Sequence, residues 1–474
     1  MKNKLGTTLL ILAVLLTSAH IYPTQALDYT VNTTDDVDDG TCDATHCSLR
    51  EAINAANGSM LGDTISFNIV VAGDVGCNAG TAVCTIQPTT PLPALTDDGI
   101  TIDGYTQPGA APATDQSSAV IKIEIDGTSV VPTTTLGLEI NSSFNIVSGL
   151  AIGNFFCGIS LHGSDARFNK ITGNHLGTDA SGTLDRGNAD SGILLYNGPQ
   201  HNLIGGDEPA ERNVISGNET GVWIDGTTGT TGANTVSGNH IGTDASGSSA
   251  LGNDIHGIWI DTSPHNTIGG SSIGEQNLIA GNGSHGIHID DSSDTVVKGN
   301  LIGVTADGSA IPNGGSGIRV YGESDDVVIG PDNVIAHNAG RGVFVADSNA
   351  DHCVVTQNSI HANGSFAIQN MDTIGQPVIT GVDGALDVLG NTDPNCVVEV
   401  FANPVNAQEG RTFIGTSVSD GSGNFTVTVP LTAVLAGPYL TATATDASMG
   451  TSWFSGVYDF PVERVHLPLA IRGN

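Results

Sequence analysis

Hydrophobic and polar positions along this chain repeat as a unit. A glycine, an aliphatic residue, a variable residue and a second aliphatic residue recur at residues 158–161, 192–195, 221–224, 257–260, 286–289, 317–320 and 342–345. The aliphatic positions alternate with period two and are mostly β-branched, and no repeat carries the apolar spacing of a helix. Repetition over roughly 20–50 residues marks units that cannot bury an apolar face alone and must stack on their neighbours. Strands joined by turns and stacked in this way form a parallel β-helix, each strand pairing with its counterpart roughly 4.8 Å along the axis. The predicted class is all-β.

A second string, ending in Gly-Asn, recurs between the first: Thr172-Gly173-Asn174, Ser216-Gly217-Asn218, Ser237-Gly238-Asn239, Ala280-Gly281-Asn282 and Lys298-Gly299-Asn300. Asparagine tolerates left-handed turns and its amide reaches the next coil, so Asn174, Asn218, Asn239, Asn282 and Asn300 are predicted to form one structural column. The string Gly177-Thr178-Asp179-Ala180-Ser181-Gly182 returns at residues 242–247 and, loosely, at 303–308. Such loops on every second coil should project as a wall, with Asp179, Asp244 and Asp307 as calcium candidates that lack a complete ligand set. His175 and His240 share a register two coils apart, about 9.6 Å, too far for one metal, and read as turn residues.

The ends of the chain depart from the repeat. Lys2 and Lys4 precede an apolar run over residues 9–16, and Thr24-Gln25-Ala26 supplies small residues for cleavage, so residues 1–26 read as a secretory signal. The run is too short to span a bilayer, and no later segment qualifies. The expected product is secreted or held at the cell surface. Residues 27–126 are assigned to a cap and first coils, and residues 127–372 to the repeats. Alternating strands at 397–401, 423–429 and 440–446 suggest a small β-sandwich over 373–460, and residues 461–474 form an apolar tail that packs on it or serves as a sorting tag.

Within the cap, Ser48-Leu49-Arg50-Glu51 has the form of a capping box, and Leu49, Ala52, Ile53 and Ala56 lie on one helical face. A helix there would shield the open end of the solenoid from edge-to-edge aggregation. Export permits disulfides, and Cys42 with Cys47 and Cys77 with Cys84 are close pairs. The same four with His46 could instead hold zinc, although their spacing lacks a Cys-x-x-Cys core. Cys157, Cys353 and Cys396 read as buried thiols.

The stretch Cys47-Ser48-Leu49-Arg50-Glu51-Ala52 resembles the CSLREA motif of exported bacterial β-helix proteins. Ile102-Asp103-Gly104 with Thr106-Gln107-Pro108-Gly109, and the Asn-x-Ile-Gly-Gly strings at residues 202–206 and 266–270, are similar to the same group, which is related in fold to pectin and pectate lyases. The resemblance covers roughly residues 28–372 and implies a right-handed coil. The C-terminal region resembles bacterial immunoglobulin-like modules through Thr443-Ala444-Thr445-Asp446 and Thr451-Ser452-Trp453-Phe454-Ser455. Such modules serve as spacers or adhesive surfaces.

Charge narrows the partners. A net charge of −35 excludes nucleic acid and anionic lipid as natural ligands, and penalises a polyanionic polysaccharide unless cations bridge.

Candidate chemistry lies on the outward positions of the glycine-led strands. One column reads Ser160, Leu194, Trp223, Trp259, His288, Arg319 and Phe344; the next reads His162, Tyr196, Asp225, Asp261, Asp290, Tyr321 and Ala346. Trp223 and Trp259 would form a flat platform for a sugar face, with Tyr196 and Tyr321 as further substrate contacts. Asp225, Asp261 and Asp290 would form a carboxylate column suited to acid catalysis or calcium. His288 offers a general base and Arg319 an anion-binding fork. Val222-Trp223-Ile224-Asp225 and Ile258-Trp259-Ile260-Asp261 resemble the pectate lyase strand Val-Trp-Ile-Asp-His, whose aspartate helps bind calcium. No Gly-His-Gly string of the polygalacturonases is present.

The expectation is an exported protein that binds a polysaccharide or cell-surface glycan along residues 192–345. If it is an enzyme, calcium on Asp225, Asp261 and Asp290 would neutralise a uronate while His288 or Arg319 removes the adjacent proton, giving β-elimination. The competing class is a non-catalytic adhesin or structural solenoid, because this fold hosts both.

Overall fold

The computed structural model describes residues 26–59, 62–227, 231–346, 349–350, 352–371, 374–383, 386–430 and 436–460. The expected signal segment before Ala26 and the tail at 461–474 lie outside them.

Three parallel sheets of eleven, ten and nine strands run the length of a right-handed β-helix. Each coil visits the first, second and third sheet in turn. One coil, for example, places Thr235–Ser237, His240–Ile241 and Ile258–Asp261 on the three sheets. The interior is a set of aliphatic ladders, such as Val222, Ile258, Ile287 and Ile318 in register on the third sheet, all fully buried. The repeat glycine has a steric cause. A Cβ on Gly221 would lie 2.4 Å from the carbonyl oxygen of Gly257 on the next coil.

The asparagines form three ladders rather than one column. Asn174, Asn213, Asn239, Asn277, Asn300, Asn333 and Asn358 are linked amide to amide at the corner between the first and second sheets. Asn218 and Asn282 belong instead to a second ladder, at the corner between the second and third sheets, with Asn188, Asn253, Asn313 and Asn338. Asn145, Asn169, Asn202, Asn234 and Asn266 make a third. Each side chain bridges backbone groups that the turns leave unpaired, so buried polar atoms at the corners are satisfied. Turn geometry adds its own demand: Gly238 has φ +71° and an added Cβ would meet Gly206 O at 2.2 Å.

Both ends are covered. At the start, the helix Leu49–Asn57 is N-capped by Ser48 in a full capping box with Glu51, and Leu49, Ala52, Ile53 and Ala56 are buried in the solenoid core. Arg50 holds Asp36 through two hydrogen bonds of 2.9 Å and also donates to the carbonyls of Thr90 and Pro91. Cys42 is bonded to Cys47 and Cys77 to Cys84, so none of the four is free for zinc. Cys157, Cys353 and Cys396 are buried outside the two disulfides, and burial pushes the Cys157 thiol up to about 12.

At the far end, a three-stranded antiparallel sheet (Val378–Val382, Asp387–Asn391, Asn424–Thr428) packs on a five-stranded one through Val388, Val427, Val400 and Ala442. This small sandwich docks on the last coil. Trp453 Nε1 donates to Asn370 O at 2.7 Å, Thr451 N to Cys353 O at 3.0 Å, and Phe401 and Phe454 enter the solenoid core. No helix among the described residues is long and apolar enough to cross a membrane.

Candidate functional site

The third sheet carries both outward columns in register. Leu194, Trp223, Trp259, His288, Arg319 and Phe344 are direct cross-strand partners, as are Tyr196, Asp225, Asp261, Asp290 and Tyr321. Strand alternation turns the aliphatics inward and leaves these positions outside.

The tryptophans do not make a platform. Their rings stack on each other, 4.6 Å between centroids and 3° from parallel, and the His288 ring continues the stack 6.1 Å from Trp259 at 8°. One ring per coil at nearly the coil spacing places face against face along the solenoid axis. Leu194 follows Trp223 on the other side. The faces are therefore occupied, and edges remain for a ligand. Tyr196 is likewise stacked on His162 at 4.3 Å. Tyr321 differs: it is 40% exposed, Arg319 lies 4.7 Å from its ring centroid, and the next position in its column is the small Ala346.

The carboxylate column does not gather into a single ligand set. Ligand atoms of Asp225, Asp261 and Asp290 are not all within 4.8 Å of one another, and Asp225 Oδ1 is taken by the amide and hydroxyl of Thr227 at 2.7 and 2.5 Å. Strung one per coil, the three do not fit one calcium ion. Asp261 is held protonated to higher pH than usual, first by burial, then by Asp225 and Asp291. Asp290 is raised by burial, Asp291 and Asp261, against the opposing pull of Arg319.

Two histidines that the column reading passed over complete the site. His256 and His285 immediately precede the repeat glycines Gly257 and Gly286, and they stack at 5.3 Å with His288 edge-on to both. The signal was available as a third column, one place before each glycine. Burial, and then neighbouring cationic groups, lowers His256 and His285 to about 4 and His288 to about 3. All three are neutral at pH 7.

His285 N donates to His256 Nδ1 at 3.3 Å, and His256 Nε2 lies 3.2 Å from His288 Nδ1. Arg319 Nη1, a donor only, stands 3.4 Å from His288 Nε2, which accepts from it when unprotonated. One set of neutral tautomers does not satisfy all three contacts at once. Arg319 occupies His288 Nε2, and a guanidinium does not deprotonate in a protein, so Arg319 is not a base for β-elimination.

The loops of alternate coils also resolve. Asp179 Oδ1 accepts from Thr183 N and Leu184 N, Asp244 Oδ1 from Ser248 N and Ser249 N, and Asp307 Oδ1 from Ser309 N, so these carboxylates organise their own loops. His175 and His240 are strand residues rather than turn residues, separated by Val214 on the intervening coil and covered by these loops. The first two loops touch through Ala245 N to Gly182 O at 2.9 Å. A cleft of about 570 Å³ on the second sheet is lined by Gln87, Glu124, Asp126 and Arg186. Its Glu124 and Asp126 are engaged by Thr85, Ala180, Gln87 and Asn154.

Residues 275–382 match the family described as a right handed beta helix region. No curated protein matches the chain. Among solved structures, pectate lyase Pel9A is 14% identical with a TM-score of 0.39, covering 74% of this chain and 73% of its own. The periplasmic alginate epimerase AlgG is 13% identical with a TM-score of 0.33, covering 65% and 68%. An alginate lyase from Paenibacillus sp. is 14% identical with a TM-score of 0.30, covering 73% and 97%.

Proposed function

We propose that this is an exported glycan-binding protein whose third-sheet face, over residues 192–345, holds an acidic polysaccharide without cutting it. The observation that carries the reading is the Arg319 guanidinium, set between His288 Nε2 and the exposed Tyr321 ring. A guanidinium fork suits a carboxylate, and an aromatic ring suits an adjoining sugar face. Asp290 lies on the His288 strand and Asp261 on the strand paired with it, and both can take hydroxyls as partners. One coil advances about as far as one sugar residue, so a chain lying along the axis would meet the same columns repeatedly.

The overall charge of −35 opposes a polyanion at long range. Salt limits that opposition to about 8 Å at physiological ionic strength, whereas the donors act in contact. The two disulfides support an oxidising, exported setting.

The test is a panel of neutral and acidic polysaccharides, scored for binding and for newly formed chain ends. Binding to uronate-containing chains, lost in Arg319→Ala, with no new ends, is the expected result. Release of unsaturated ends would replace this reading with a lyase. No binding to any member would leave a structural solenoid.

A further inference from the structure

Near the N-terminal end of the solenoid, two acids that the glycan face does not use precede successive strands of the first sheet, Asp63 before Thr64–Phe67 and Asp97 before Thr101–Asp103. Asp63 is 1% exposed, and its Oδ1 accepts a hydrogen bond from Leu27 N at 2.8 Å. Its other oxygen, Oδ2, is buried with no hydrogen-bond partner, and so is Oδ2 of Asp97. Asp97 is raised by burial first, and then by Asp98 and Asp63. Tyr29 is also raised by burial and by Asp63. No lysine, arginine or histidine forms an ion pair with Asp63 or Asp97 among the described residues. Buried carboxylate oxygens without a donor or counter-charge are costly, so this arrangement lacks a cationic partner.

The one donor already in place is Leu27 N, and it is the atom that export would change. Thr24-Gln25-Ala26 puts small residues third and first before Leu27, the arrangement a signal peptidase reads. Hydrolysis of the Ala26–Leu27 bond consumes one water, leaves a carboxylate on Ala26, and frees an amine on Leu27 that takes up a proton. A single neutral N–H then becomes an ammonium with three donors and one positive charge. Leu27 is also held in place on its other side, because its carbonyl accepts from Thr64 N at 2.9 Å.

We propose that Asp63 is a receptor for the α-ammonium of Leu27, so that the N-terminal edge of the solenoid is locked only after the leader is removed. The ammonium supplies Asp63 Oδ1 with a charged donor and sets a positive charge beside its orphaned Oδ2. Processing and cap stability are thereby coupled, and a chain that keeps its leader carries a weakened first coil.

The experiment compares the mature chain beginning at Leu27 with one that retains Thr24-Gln25-Ala26, both carrying all downstream residues. The mature chain should melt about 2 °C or more above the extended one, and Asp63→Asn should remove the difference while Asp97→Asn leaves it in place. The Leu27 amine should also acylate at pH 7 at least about tenfold more slowly in the folded chain than in a Leu27 peptide, because a paired ammonium holds its proton. Equal melting of the two chains, or a peptide-like acylation rate, would overturn the proposal. So would an exported protein whose measured N-terminus is not Leu27, or an extended chain restored to mature stability by calcium, which would make the acids a metal site.

Discussion

The indole rings of Trp223 and Trp259 stand 4.6 Å apart and 3° from parallel, so each covers a face of the other. The pair acts as a brace between coils that also seats His288. Trp259→Ala should cost about 2–4 kcal/mol, since it removes a half-buried aromatic and the stacking on both sides. Trp259→Phe should recover most of this. Denaturant midpoints for the two variants test the brace, and an alanine variant as stable as the parent would refute it.

The asparagine ladders should be among the most sensitive positions. Asn239 donates to Ile204 O, Ser237 O and Asn277 Oδ1, and its own Oδ1 accepts from Asn213. Asn239→Ala strands several buried groups at about 1–3 kcal/mol each, and Asn239→Asp adds a buried charge while removing the donors. The expected order of stability by urea unfolding is parent, then alanine, then aspartate. An aspartate variant equal to the parent would mean the ladder is wet.

Architecture was legible because steric demand recurs in every coil. Gly221, Gly257 and Gly286 mark places where backbones meet, and the spacing of those glycines put Trp223, Trp259 and His288 in one column correctly. What one column cannot reveal is how side chains turn within it. Ring orientation converted an expected platform into a stack, and the rings packed edge-on to His288 are His256 and His285, which lie outside both columns. The Gly-Asn strings misled for a related reason. Two different corners use the same turn chemistry, so Asn174 and Asn218 look equivalent in sequence while occupying separate ladders.

Acid should destabilise the protein well above the carboxylate range. His175, His256, His285 and His361 fall to about 4, and His240 and His288 to about 3, mainly through burial. An unfolded histidine titrates near 6.5, so below that pH the unfolded chain binds more protons than the folded one. These groups therefore contribute stability above about pH 6.5 that is lost progressively as pH falls toward 4. His46, raised by its carboxylates despite burial, works in the opposite direction but is one group against six. Melting temperature should fall between pH 6.5 and 4, with a shallower slope in His256→Gln. An unchanged slope would show that the imidazole is not held neutral.

Arg319 makes the sharpest separate test, because its effects on a ligand and on a neighbour can be read independently. It stands 3.4 Å from His288 Nε2, and after burial and His256 it is the next influence that keeps His288 near 3. Arg319→Ala should therefore raise the His288 pKa in the free protein, measurable from its imidazole NMR shifts, with no glycan present. Uronate binding should weaken by about tenfold or more in the same variant, since a charge-assisted contact is worth about 1.5–3 kcal/mol. Arg319→Lys keeps the charge and loses the planar fork, so it should hold His288 low while failing to restore affinity. If lysine restores both, the site needs only a positive charge, and the planar fork is not what selects the ligand.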